Sequence, residues 1–169
     1  LRCHYLCEQA EAAITAQDSS LARQCYQDAL RDNDNDLRAR MGLATVSLLQ
    51  ESPQEALGHF EVIMASGRTC TPELLSLLSR ICAGQAGERT YSAVLHRYYQ
   101  QQPAPLLALT LAAELEAEKD RAAADDFLRL TLADNPSVAV ATALLLSGLP
   151  AENDQPERRI LEQLMQNEQ

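Results

Sequence analysis

Residues that favour β-strands are scarce in this chain of 169 residues. It contains only 5 Val and 4 Ile, against 28 Leu and 26 Ala, and leucine and alanine are the better helix formers. A β-sandwich, a barrel or a dinucleotide-binding domain would need several runs of β-branched residues bounded by turns. The composition therefore predicts an all-α fold, and an apolar content of 46% is sufficient for a buried core.

Basic residues are also few, and Lys119 is the only lysine. Acidic residues number 24 against 14 basic ones, for a net charge of -10. This balance argues against sequence-independent nucleic-acid binding, which needs a basic surface to neutralise phosphates, and favours a solvated acidic surface or, alternatively, a basic partner. No apolar run approaches the roughly 20 residues of a membrane span, so we expect no membrane insertion of this segment. Because neither Met nor a signal peptide stands at its start, we interpret it as a piece of a longer protein.

Self-similarity at a shift of 34 residues is the strongest pattern in the sequence. Two aligned columns are mostly alanine, which lets paired helices approach closely, and two are bulky, which fills the space beside them. The four columns are Ala10, Ala44, Leu78 and Ala112; Ala22, Ala56, Thr90 and Ala124; Tyr26, Phe60, Val94 and Leu128; and Leu30, Met64, Tyr98 and Leu132. A period of 34 is that of the tetratricopeptide repeat, a helix-turn-helix unit.

Turn residues place the boundaries of these units. They predict four repeats and a partial fifth hairpin in a single solenoid, at residues 3–36, 37–70, 71–104 (degenerate), 105–138 and 139–169. Ser52, followed by Pro53 and Glu55, is typical of a capping box at the start of a helix. The predicted fold is a right-handed tetratricopeptide-repeat superhelix of about five helical hairpins.

The first helix of each unit should line a concave groove that binds a protein partner. Because the predicted groove lacks the Lys and Asn side chains that would clamp a peptide carboxylate, an apolar or helical segment is the favoured ligand. For the apolar positions, packing inside the chain is the alternative interpretation. The candidate groove residues are Arg38, Met41, Thr45, Leu75, Ser79, Leu109, Ala113 and Glu116.

Cysteine motifs that hold metals or form disulfides are absent. The five cysteines lack C-x-x-C spacing, so we expect reduced thiols that mostly serve as small core residues. Cys3 and Cys7 are one helical turn apart and have the spacing to share a metal ion. Zinc would need two further ligands, and the neighbouring sequence supplies no second pair. The cysteines are Cys3, Cys7, Cys25, Cys70 and Cys82.

Catalytic motifs are missing as well. Cys82 and His96 fall on the two helices of the third repeat and could meet, but no third group is placed to orient the histidine. The acidic run at Glu114, Glu116, Glu118 and Asp120 is typical of solvated charge, and there is no glycine-rich phosphate loop. We therefore expect no catalytic, cofactor-binding or metal-ligating residues and no enzyme activity.

Beyond the general repeat, the sequence resembles one bacterial family, the lipopolysaccharide assembly protein B proteins (LapB, YciM-like). The resemblance rests on the repeat opening His4-Tyr5-Leu6-Cys7-Glu8-Gln9-Ala10 and on the well-formed repeat after it. It continues through the degenerate repeat, from Leu74 to Gln102, and the alanine-rich fourth repeat to a short hairpin ending at Met165. The chain would then be the C-terminal part of such a repeat array.

This resemblance implies a specific role. Such proteins have an N-terminal membrane anchor, a cytoplasmic repeat array and a C-terminal zinc ribbon built from two C-x-x-C pairs. They are adaptors in lipopolysaccharide synthesis, linked to turnover of the deacetylase LpxC by the membrane protease FtsH. The resemblance therefore implies a cytoplasmic adaptor whose parent is anchored to the inner membrane. Since no cysteine here matches the ribbon, no zinc ligand is carried over and no cofactor is expected in this segment.

A second class of function stays open, namely a repeat module of a bacterial multiprotein assembly such as outer-membrane or pilus biogenesis. The last hairpin is relevant to both, because its apolar residues have no following repeat to cover them. They predict either a homo-oligomer contact or a seat for a missing C-terminal module. These residues are Leu144, Leu145, Leu146, Leu149, Ile160, Leu161 and Leu164.

Overall fold

Helices make up the whole regular structure of the described part of the chain. The computed structural model describes residues 2–117, 121–134, 136–137, 139–140, 143 and 163. Eight α-helices and one 3₁₀ turn lie within these residues, and no strand does. The prediction of an all-α fold is confirmed. Most of the predicted last hairpin, including the seven apolar residues predicted to lack a covering repeat, lies outside the described residues.

The helices recur at the spacing of a tetratricopeptide-type repeat. Those with odd numbers begin at residues 2, 37, 72 and 105, which are 35, 35 and 33 residues apart, and each is followed by a second helix of similar length. The elements are α1 (Arg2–Thr15), α2 (Ser19–Asp32), α3 (Leu37–Leu49), α4 (Pro53–Ala65), α5 (Pro72–Cys82), the 3₁₀ turn Gly87–Arg89, α6 (Tyr91–Gln101), α7 (Pro105–Ala117) and α8 (Arg121–Asp134).

Two compact units divide the chain, residues 1–85 and 86–169. The first contains α1 to α5 and the second contains α6 to α8. The division falls inside the predicted third repeat, which carries Leu78 and Thr90 where the other repeats carry alanine. Gly84 and Gly87 flank this point with φ angles of 74° and 66°, a backbone conformation that glycine adopts without steric cost.

The repeat columns form the cores of both units. Every residue of the first column, Ala10 through Ala112, is at most 5% exposed, and every residue of the third, Tyr26 through Leu128, is at most 4% exposed. Within the first hairpin, Ala10 and Ala22 are fully buried, so α1 and α2 cross without a large side chain between them. The small-and-bulky pattern therefore marks the helix contacts in each unit.

Side chains at the turns fix where the helices of the first unit begin. Asp18 accepts a hydrogen bond from the Leu21 N–H at 2.9 Å, and Asp36 accepts one from the Ala39 N–H at 2.8 Å. Each of these carboxylates satisfies a backbone donor that the helix itself leaves unpaired. Thr71 caps α5 in the same way through the Leu74 N–H.

The predicted capping box at the start of α4 is wrong, although Pro53 does occupy its first turn. Ser52 makes no side-chain cap and instead donates to the Gln50 carbonyl at 3.4 Å. Glu55 accepts two hydrogen bonds from Arg23 of α2, which also donates to Gln50. Glu55 therefore joins α4 to α2. It binds Arg23 rather than the backbone N–H of Ser52, because hydrogen bonds between ionised groups are stronger.

Gly42 lies within α3, where the ring of Tyr26 from α2 rests against its backbone. A Cβ atom at residue 42 would overlap the Cζ, Cε1 and Cε2 atoms of this ring. Tyr26 is 2% exposed, so its ring has no free space into which it can move. Glycine usually costs a helix interior about 1 kcal/mol relative to alanine, and here it permits the close approach of α2 and α3.

We therefore expect Gly42→Ala to destabilise the first unit by roughly 1 to 2 kcal/mol, since overpacking outweighs the gain in helix propensity. Gly58→Ala in α4 is the matched control, because nothing lies within 4 Å of the Cβ it would add. That variant should gain about 0.5 to 1 kcal/mol. Urea unfolding followed by circular dichroism measures both, and equal stabilisation by the two substitutions would contradict the packing described.

Candidate functional site

An open depression lies between α3 and α5, two first helices of neighbouring repeats within the first unit. Its volume is about 390 Å³. Two side chains come from α3 and five from the first three turns of α5, and they combine apolar, hydroxyl and charged groups. The lining residues are Met41, Thr45, Pro72, Glu73, Ser76, Leu77 and Arg80.

Most of the α5 residues that line this depression form a single stripe along the helix. Glu73, Ser76, Leu77 and Arg80 are spaced i, i+3, i+4 and i+7, which places them on one face. Glu73 and Arg80 carry opposite charges about 10 Å apart along the axis. A hydrogen bond from the Thr71 side chain holds the pKa of Glu73 below its ordinary value, so this end of the stripe is negative at neutral pH.

The α3 wall is mainly apolar. The Thr45 hydroxyl donates to the Met41 carbonyl at 3.0 Å, so its donor is satisfied within the helix and its methyl group contributes to the surface. Met41 and Thr45 are both half-buried. A flexible thioether such as that of Met41 adapts to partners of different shape.

Arg38 lies on α3 and forms an ion pair with a residue of α1. Its Nε and Nη2 atoms each donate to one carboxylate oxygen of Glu11, both at 2.7 Å. This two-pronged geometry is the strongest form of a side-chain ion pair. The hydrogen bond from Arg38 lowers the pKa of Glu11. The positive charge of Arg38 is therefore matched inside the chain.

The structure brings only some of the predicted groove residues together. Met41 and Thr45 share the depression, whereas Leu75 is 6% exposed and packs on the opposite side of α5. Ser79 is exposed but does not line the depression. Leu109, Ala113 and Glu116 belong to α7 in the second unit, where Leu109 packs against the core cluster and the other two are exposed.

Sequence reasoning missed the residues of α5 that do line the depression, which are Glu73, Ser76, Leu77 and Arg80. The lining residues Ser76 and Arg80 lie one position after the predicted groove residues Leu75 and Ser79, and the partner-binding face itself stays a prediction. A signal was available. The buried residues of α5 form a broad apolar face, so the polar residues between them had to lie on the other side. The buried residues are Leu74, Leu75, Leu77, Leu78, Ile81 and Cys82, and this signal therefore points to the polar lining residues but not to Leu77.

No protein-family model matches this sequence, and no curated protein does either. Among solved structures, the crystal structure of MamA is similar, with 13% sequence identity and a TM-score of 0.49 over 94% of this chain and 94% of that chain. This similarity assigns no function. None of the described helices is both long and apolar enough to cross a membrane.

The two catalytic candidates belong to different units. Cys82 is buried on α5 of the first unit, and His96 is exposed on α6 of the second, where its Nε2 atom lies 2.9 Å from the side-chain nitrogen of Gln100. In the acidic run, Glu114 is half-buried and Glu116 exposed, while Glu118 and Asp120 lie outside the described residues. Burial raises the pKa of Cys25 and of Cys70, which disfavours the nucleophilic thiolate.

Asp36 joins the cysteine pair of α1, a contact that the sequence did not predict. The Cys3 thiol donates to the Oδ2 atom of Asp36 at 3.2 Å, and the donor atoms of Cys3, Cys7 and Asp36 all lie within 4.8 Å of one another. Burial raises the pKa of Cys7 to about 11, with a contribution from the charge of Asp36. Both causes also raise the pKa of Cys3.

The Arg38–Glu11 pair predicts a pH dependence. Because the folded-state pKa of Glu11 is below its ordinary value of 4.5, the pair stabilises the fold fully above that value and loses its effect as pH falls through the lowered pKa. We expect Arg38→Gln to cost at most about 1 kcal/mol at pH 7, since both side chains are partly exposed. Arg38→Lys should cost less, since it keeps the charge.

Urea unfolding at pH 7, 4 and 3 measures this effect. The gap between the wild-type chain and Arg38→Gln should narrow progressively below pH 4.5. A gap of constant size down to pH 3 would show that Arg38 acts through packing rather than through its ion pair.

Proposed function

We propose that this chain is a non-catalytic protein-interaction scaffold that binds a segment of a partner protein in the depression between α3 and α5. The observation that carries this proposal is the depression itself, which two first helices form at neighbouring positions of the repeat. Its open shape suits a protein segment that lies along the surface better than an enclosed small molecule.

The chemistry of the walls favours an amphipathic helix as the bound segment. Met41 and Pro72 offer accessible apolar contacts for side chains spaced by three and four residues, and Leu77, which is buried, lies at the base of the depression. Glu73 and Arg80 attract a basic and an acidic side chain respectively, about 10 Å apart on the partner. These end charges would fix the direction in which the segment lies.

Arg38 is a predicted groove residue that does not line the depression. Because Glu11 already binds its guanidinium through two hydrogen bonds, a C-terminal carboxylate would have to displace an internal partner. Arg38 therefore offers no free cation to the chain end of a partner. Leu109, Ala113 and Glu116 belong to the second unit and stay predicted contact residues of that unit alone.

The narrower proposal is an adaptor in the regulation of lipopolysaccharide synthesis, linked to turnover of LpxC by FtsH. It rests on the resemblance of the sequence from His4 to Met165 to the lipopolysaccharide assembly protein B family. On this proposal the chain lies in the cytoplasm, and its parent is anchored to the inner membrane. The full-length gene tests it, because an N-terminal anchor and two C-x-x-C pairs after residue 169 would support the adaptor. A lipoprotein signal would instead support a module of outer-membrane or pilus assembly.

Binding in the depression is tested with a photo-reactive amino acid placed at residue 76 or residue 79 of the full-length parent in cells. Both positions are exposed serines on α5, but only Ser76 lines the depression. We expect a defined protein to become attached at residue 76 and much less at residue 79. Mass spectrometry identifies it, and recovery of LpxC or FtsH would support the narrower proposal.

The same two positions give a matched pair of substitutions. Ser76→Trp should weaken binding of the attached protein by at least about tenfold, since it fills the depression and a loss of about 1.4 kcal/mol is tenfold in affinity. Ser79→Trp should leave binding nearly unchanged, and circular dichroism checks that both variants fold. Loss of binding with Ser79→Trp alone would place the partner on the face predicted from the sequence register and not in the depression.

A further inference from the structure

Three potential metal ligands converge at the start of the first unit from two distant parts of the sequence. Cys3 and Cys7 lie on consecutive turns of α1, and Asp36 immediately precedes α3. Their donor atoms lie within 4.8 Å of one another. In a tetrahedral zinc site, bonds of about 2.3 Å to sulfur and 2.1 Å to oxygen place neighbouring ligands roughly 3.5 to 3.8 Å apart. The three donors are therefore close to the spacing that zinc requires.

A backbone hydrogen bond orients the carboxylate of Asp36. Its Oδ1 atom accepts the Ala39 N–H at 2.8 Å as the N-cap of α3, while Oδ2 faces the Cys3 sulfur at 3.2 Å. Orientation of a ligand by a second hydrogen bond is typical of metal sites, where it reduces the cost of ordering the ligand. The Cys7 sulfur is fixed by burial, at 1% exposure.

The charges of the three groups suit a divalent cation. Binding breaks the two S–H bonds, releases two protons to solvent, and forms two bonds to sulfur and one to oxygen, so that three anionic ligands surround a charge of +2. The cation replaces the proton that Cys3 now shares with Asp36 and offsets the repulsion between the thiolates and the carboxylate.

We propose that Cys3, Cys7 and Asp36 bind Zn²⁺, with water as the fourth ligand. Two thiolates exclude Mg²⁺ and Ca²⁺, which prefer oxygen ligands, and the carboxylate favours Zn²⁺ over Cu⁺. Cys3 and Asp36 are half-buried, which leaves the fourth position accessible to solvent. The ion would bind α1 to the turn between α2 and α3 and so join the first two helical hairpins. This site is independent of the proposed function.

Co²⁺ serves as the spectroscopic probe, added to the whole chain with its thiols kept reduced by a phosphine. We expect one equivalent to give a thiolate-to-cobalt charge-transfer band and the intense visible bands of a tetrahedral site, and Zn²⁺ to displace it. Cys3→Ala should abolish the charge-transfer contribution of one thiolate and weaken binding. Cys70→Ala, which removes a buried cysteine elsewhere, should leave the spectrum unchanged.

Asp36→Asn best separates metal binding from helix capping, because asparagine is an equally good N-cap but a neutral ligand. It should retain the helical content of the wild-type chain and lower the Co²⁺ affinity by at least about tenfold, the smallest loss typical of changes around a metal site. Zn²⁺ should also raise the unfolding midpoint of the wild-type chain but not that of Cys3→Ala. Equal Co²⁺ affinity in the wild-type chain, Cys3→Ala and Asp36→Asn, or a spectrum without a thiolate band, would overturn the proposal.

Discussion

Close contact between paired helices is the constraint on which both units depend. Ala10 and Ala22 in the first hairpin, and Ala44 and Ala56 in the second, are fully buried because the helix backbones meet at these points. Larger side chains there would separate the helices and open gaps beside them. The bulky columns, which begin with Tyr26, then fill the volume on either side of each contact.

The third repeat departs from this pattern, and the chain divides there. Leu78 replaces the alanine of the first helix and Thr90 that of the second, and the boundary between the two compact units lies between them. Leu78 is nevertheless completely buried, and it belongs to α5 of the first unit. The two small residues are therefore missing in the repeat where the chain divides. In the same repeat, α5 and the neighbouring α3 line the depression that we propose binds a partner.

Much of the fold could be predicted because it depends on short-range patterns. The scarcity of Val and Ile predicts helices. The alanine columns and the turn residues predict contacts and boundaries within one hairpin or between neighbouring hairpins. The candidate site was less accessible to sequence reasoning. The depression on α5 lies one residue away from the predicted face, in the repeat where Leu78 stands in place of the small residue that sets the register. The roles of Glu55 and Asp36 depend on Arg23 and Cys3, which are 32 and 33 residues away, and no local pattern reports such contacts.

Gly42 and Tyr26 carry a consequence for how this sequence can change. The ring occupies the space that any side chain at residue 42 would need, so the two positions cannot vary independently. A smaller residue at position 26 makes alanine at position 42 acceptable, whereas the reverse order passes through an overpacked intermediate. The two positions are therefore coupled, and the order of substitution determines whether the chain passes through a destabilised intermediate.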